Sequence, residues 1–194
     1  MTQPDDIVTL RNEALRKLGR NVVNFQKIEA CLKFLITISN VQGKPKDFTA
    51  RHAKKAASIR KKSMGDLAGK FHNNLYRDGI KSEKPEDLVD IWISTSIKVE
   101  ADAKTIKERK RALSTLVTER NNLIHKDLAG FDHNSATSCR HLISILDPQN
   151  KRILQQLDEL KWLIDAFKEH VGDLRSWVDS DEFLHEIQQN KKDA

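Results

Sequence analysis

Arg120, Asn121 and His125 are the residues of this chain whose types and spacing best suit chemistry. They fall in the run Glu119-Arg120-Asn121-Asn122-Leu123-Ile124-His125, which the apolar pattern places near the end of a long helix. At about 100° per residue, Asn121 and His125 sit one turn apart on the same face. Arg120 stands about 140° from His125 around that axis, a gap that a long arginine side chain can lean across. An imidazole titrates near neutrality, and as general acid or base it contributes about 10²–10⁴ in rate. A guanidinium supplies fixed positive charge and a bidentate grip on phosphate. Arg120 also follows Val117 by three residues and precedes Ile124 by four, which puts it partly on the apolar side. There it needs an acceptor, because an unpaired buried charge is strongly destabilising. Glu29, within the apolar stripe of the first helix, is one candidate, and a bound phosphate is the other.

Other reactive patterns are missing. The sequence has no Gly-rich phosphate loop, His-Glu-x-x-His, paired Cys-x-x-Cys or Gly-x-Ser-x-Gly. His133, Cys139 and His141 lie close together but lack a second ligand pair at a recognised spacing. Neither a metal nor another cofactor is expected. His52, His72, His170 and His185 read as ordinary surface or rim histidines on helices.

The segment Arg120-Asn121-Asn122-Leu123-Ile124-His125 resembles the Arg-polar-x-x-x-His signature of the HEPN superfamily, whose members are small all-helical domains. Many of these are metal-independent endoribonucleases in toxin–antitoxin, phage-defence or RNA-processing systems. They typically act as dimers, with motifs from two subunits facing each other across one composite site. The resemblance implies that His125 is general base or acid on the ribose 2′-hydroxyl and the leaving oxygen. It implies that Arg120 stabilises charge on the phosphate, and that Asn121 orients His125 or the phosphate. The implied partners are an RNA substrate, a second copy of the chain and, for a toxin, a protein inhibitor or antitoxin. Some toxin members carry a Tyr two residues after the His, where it is modified with AMP. Here that position is Asp127, and the only tyrosine of the chain is Tyr76, so silencing by that route is not expected.

The elements that must position these residues are helical. Only 7 Gly and 4 Pro occur in 194 residues, few for an all-β chain. A first helix is predicted from Asp5 to Ser39, with Val22, Phe25, Glu29, Leu32 and Ile36 on one face. Gln42-Gly43-Lys44-Pro45 breaks it. A second helix is expected from Asp47 to Tyr76, basic in its first half and apolar through Met64, Leu67, Phe71 and Leu75. Residues 77–87 read as loop, and the β-branched stretch Ile91 to Val99 as a short strand or hairpin arm. A third helix spans Asp102 to Leu128, with Ile106, Leu113, Val117 and Ile124 along one side and Gly130 as its stop. A shorter helix, Ala136 to Leu146, precedes Pro148, and a last long one begins near Gln149. That last helix carries Ile153, Leu157, Leu160, Ile164, Phe167, Val171, Leu174 and Val178 at alternating spacings of four and three, a heptad-like seam. Packing within the same bundle accounts for the seam more simply than an intermolecular coiled coil. A terminal helix around Asp181 to Gln189 caps the arrangement. The expectation is a single all-α domain over residues 1–194, an up-and-down bundle of five or six helices with a small β insertion near 91–99.

Charge narrows the partners. Lys plus Arg number 34 against 28 acids, for a net +6. Positions 44–84 alone hold 12 basic and 4 acidic residues, whereas 151–194 carry 7 and 10. Arg51, Lys54, Lys55, Arg60, Lys61 and Lys62 are the candidate nucleic-acid contacts. This basic stretch and the seam also support a competing reading, a non-catalytic helical module that binds nucleic acid, nucleotide or a partner protein. No apolar run approaches the ~20 residues of a membrane span. The first residues lack the basic-then-apolar order of a signal peptide, and two cysteines without a motif fit a reducing compartment. A cytoplasmic location with no membrane partner is therefore expected.

Overall fold

Asp6 opens the first helix by accepting the backbone N–H of Val8, and α1 then runs over Ile7–Ile38. The computed structural model describes residues 6–76, 93–96, 98–178 and 180. Along α1 the buried line is Asn21, Asn24, Phe25, Ile28, Leu32, Leu35 and Ile36. Glu29 lies beside that line rather than on it, half-buried and paired with Lys33 one turn on at 2.6 Å.

After α1 the chain forms β1 (Asn40–Gly43), α2 (Pro45–Arg60), α3 (Met64–Tyr76), β2 (Ile93–Ser96) and α4 (Ala103–Asn122). A π-helical turn (Leu123–Asp127) and α5 (Ala136–Val178) complete the order. Among the described residues the architecture is all-α apart from one two-stranded ribbon. In it β1 and β2 pair antiparallel, Asn40 opposite Ser96 and Gly43 opposite Ile93. The expected strand is thus present over four residues, paired with a distant segment rather than folded into a local hairpin. Residues 77–87 and the terminal stretch 181–189 lie outside the described residues. No helix among the described residues is long and apolar enough to cross a membrane.

Three predicted boundaries are corrected. The second predicted helix is two helices, α2 and α3, separated at residues 61–63. Ser63 explains the break: its Oγ accepts the Asp66 backbone N–H at 3.3 Å, and the Asp66 carboxylate in turn accepts the Ser63 backbone N–H at 3.3 Å. This reciprocal cap starts α3 afresh. Gly130 sits in the turn after the π segment but does not take a left-handed conformation; among the described residues only Gly43 has positive φ.

The third correction is that α5 is one helix of 43 residues with Pro148 inside it. Proline removes the N–H that would reach the Ser144 carbonyl and crowds that carbonyl, at about 3 kcal/mol. A polar clamp from α1 compensates. Buried Asn21 donates to the Leu146 carbonyl at 2.8 Å and to Gln149 Oε1 at 2.9 Å. Asn24 donates to Asn150 Oδ1 at 3.1 Å, and Lys17 and Arg20 both hold Asp147.

The chain divides into two units, Met1–Leu157 and Asp158–Ala194. In the first, α1, α3, α4 and the start of α5 supply most of the buried side chains. Within the seam of α5, Ile153 and Leu157 of this unit are buried. In the second unit Leu160 is buried, Ile164 and Phe167 are half-buried and Val171 is exposed.

Candidate functional site

The buried line of α4 is Leu113 and Leu116, continued by Leu123 in the π turn. This is one residue off the predicted line of Leu113, Val117 and Ile124, which leaves Val117 and Ile124 half-buried. Arg120 falls between Leu116 and Leu123 and is itself half-buried. Its acceptor is not Glu29, which pairs with Lys33, but its own neighbour: Arg120 Nη1 donates to Asn121 Oδ1 at 3.2 Å. The guanidinium makes no ion pair among the described residues.

Glu119 ties the motif to the scaffold. It pairs with Arg152 of α5 at 2.7 Å, and its side chain is largely buried while its Oε2 has no hydrogen-bond donor. One residue on, Arg120 therefore projects from an anchored segment.

Asn121 and His125 are both exposed. His125 lies in the π turn, closed by the Leu128 N–H donating to the Leu123 carbonyl at 3.0 Å. A π turn holds an extra residue per turn, so positions five apart come closer to one side than in an α-helix. The segment from Leu123 onward therefore narrows the angular gap between Arg120 and His125 that a regular helix would leave. π turns inside helices occur frequently at functional sites. Neither the composition nor the apolar period of the run signals this turn.

The basic residues singled out from the sequence divide into two sets. Arg51, Lys54 and Lys55 of α2 line a pocket with His52. Arg60 ends α2, and Lys61 and Lys62 occupy the break before α3, with Arg60 and Lys61 exposed. Helix α2 packs on α1 and β1, whereas α4 packs on α3. Gly43 makes the entry into α2 possible: its φ is +152°, and a Cβ there would stand 3.0 Å from Cδ of Arg51.

Among the described residues no three His, Cys, Asp or Glu side chains gather as a metal site. Cys139 is buried, with its sulfur 3.9 Å from the His133 carbonyl. His72 is the histidine most misread from sequence. It is 6% exposed, its ring is 5.3 Å from Tyr76 and 5.8 Å from Phe71, and neither nitrogen has a hydrogen-bond partner. Burial, with the Lys110 charge adding to it, pushes its pKa down to about 4. His52 is half-buried and His170 exposed, while His185 lies outside the described residues.

Comparison of the chain with protein-family models, with curated proteins and with solved structures finds no match.

Proposed function

We propose that the chain is a metal-independent endoribonuclease of the HEPN type, acting as a homodimer with Arg120, Asn121 and His125 of each copy at one composite site. The observation that carries the reading is an exposed His125 on a π turn that begins just after Asn121 and Asn122, beside a half-buried Arg120 bonded to Asn121. Arg120 has no carboxylate partner among the described residues, so its charge is available to a phosphate.

The chemistry follows from these groups. One imidazole takes the proton of a ribose 2′-hydroxyl, whose oxygen attacks the adjacent phosphorus. The bond from phosphorus to the 5′-oxygen breaks, and the second imidazole gives that oxygen its proton. The products are a 2′,3′-cyclic phosphate and a 5′-hydroxyl. The paired Arg120 side chains offset the negative charge that builds on the phosphate oxygens, the electrostatic contribution that such sites depend on. Asn121, bonded to Arg120, sets the direction of the guanidinium.

Purified protein is expected to cleave RNA in the presence of EDTA and to leave cyclic or 3′-phosphate and 5′-hydroxyl ends. His125→Ala should lower the rate by about 10²–10⁴ with the helical circular-dichroism signal unchanged, as fits an exposed side chain. Equal cleavage by the wild type and the variant overturns the assignment of the site.

A further inference from the structure

Between α1, β1, α2 and α3 lies a pocket of about 440 Å³, a size common among small-molecule sites. Ile36 and Ile59, both buried, give it an apolar floor. Lys54 and Lys55 reach it from α2 and Lys70 from α3, while Asn40, Gln42 and Asn74 supply amides. No acidic side chain among the described residues lines it. None of these three lysines forms an ion pair with a described residue.

One of the three charges is built into the fold, whereas Lys54 and Lys70 are exposed at the rim. Lys55 is half-buried, and its Nζ donates to the Asn40 carbonyl at 2.6 Å. Burial, with the Lys70 charge adding to it, pushes the Lys55 ammonium down to about 8. Two like charges over an apolar floor destabilise each other, and a bound anion reverses that effect. Asn40 adds a buried side-chain nitrogen that has no acceptor. Among the described residues, no aromatic ring except the His52 imidazole lines the pocket for a nucleobase to stack on. Three amides suit hydroxyl groups instead.

We infer that this pocket binds a small phosphorylated sugar, its phosphate held by Lys54, Lys55 and Lys70 and its hydroxyls by Asn40, Gln42 and Asn74. The inference does not rest on the ribonuclease reading, since none of Arg120, Asn121 and His125 lines the pocket.

Isothermal titration of the full chain in phosphate-free buffer tests it, with ribose 5-phosphate, inorganic phosphate and ribose as probes. Ribose 5-phosphate should bind at one site per chain, inorganic phosphate more weakly, and ribose not at all. Lys54 and Lys70 are exposed, so the Lys54→Ala, Lys70→Ala double variant should keep its melting temperature. It should lose at least about tenfold in affinity for ribose 5-phosphate, as expected when charge-assisted hydrogen bonds are removed. Lys55→Met should weaken binding as well, and His125→Ala should leave it unchanged. No binding of ribose 5-phosphate at millimolar concentration, equal binding of ribose, or wild-type affinity in the double variant overturns the inference. Displacement of ribose 5-phosphate by a 5′-hydroxyl oligoribonucleotide, weakened by the same double variant, would assign the lysines to an RNA backbone and overturn it too.

Discussion

Two histidines of this chain stand in opposite surroundings. His125 is exposed on the π turn, whereas His72 is enclosed by Phe71 and Tyr76 with both ring nitrogens unpartnered. The consequence for His72 is a pH dependence of folding. In the unfolded chain it takes up a proton near pH 6.5, but in the fold it does so only near pH 4. As the pH falls between these values the unfolded state binds the proton first, so stability is lost across that window and levels off below it. Between pH 7 and 4.5 the loss from this residue should be about 2 kcal/mol. Urea titrations at the two pH values should show a fall in the wild type larger by that amount than in His72→Leu. An identical fall in both proteins would show that carboxylates, not His72, set the acid sensitivity. Residue types and spacing single out Arg120, Asn121 and His125 as candidates, because the chemistry they could do is written in their identities. The partners were not legible: Glu29 bonds Lys33 and Arg120 bonds Asn121 because side chains take the nearest unblocked partner, one turn or one residue away. Lys55 and Lys70 meet only because α2 and α3 each pack against α1, which no local pattern records.

Helices were readable where apolar spacing is regular and misread where a polar contact decides. Met64, Leu67, Phe71 and Leu75 are all buried as the period requires. The break before them was legible in principle, since Ser63-x-x-Asp66 is a capping signature, but the apolar run that follows masks it. Pro148 is different. Its local preference is to end a helix, and α5 continues only because Asn21, Asn24, Lys17 and Arg20 of α1 hold the segment from Leu146 to Asn150. Those contacts span more than a hundred residues of sequence, so the period and the breaker together give the wrong answer. Asn21→Ala should therefore be costly: it leaves the Leu146 carbonyl and the Gln149 amide oxygen buried without a donor. A loss of about 2–3 kcal/mol is expected in urea unfolding, with Asn24→Ala costing less because one hydrogen bond is lost. If Asn21→Ala unfolds at the wild-type midpoint, the clamp is not what carries the helix through Pro148.

At the scale of the whole molecule, the surplus of +6 is concentrated on the segment around α2, where 44–84 hold 12 basic and 4 acidic residues. On the proposed reading that concentration separates attraction of a polyanion from reaction with it, because the motif belongs to α4 and the π turn. A single copy of the motif offers one exposed imidazole, whereas in-line cleavage of RNA without another acid uses one group to remove a proton and a second to deliver one. On the proposed reading dimerisation supplies the second group, which has a consequence that no single variant reveals. Mixed with an excess of His125→Ala and allowed to exchange subunits, wild-type protein should end in mixed dimers with only one imidazole per site. Specific activity, counted per wild-type chain, should then fall by about 10² or more, the contribution of one acid–base group. It should recover when the excess variant is instead unable to dimerise. A monomeric enzyme gives the opposite result: activity per wild-type chain stays constant however much variant is added. Salt separates the two basic features in the same assay. Raising it should weaken RNA capture by Arg60, Lys61 and Lys62, which do not line the pocket, through counterion release, while the ratio between wild-type and mixed dimers at saturating RNA stays the same.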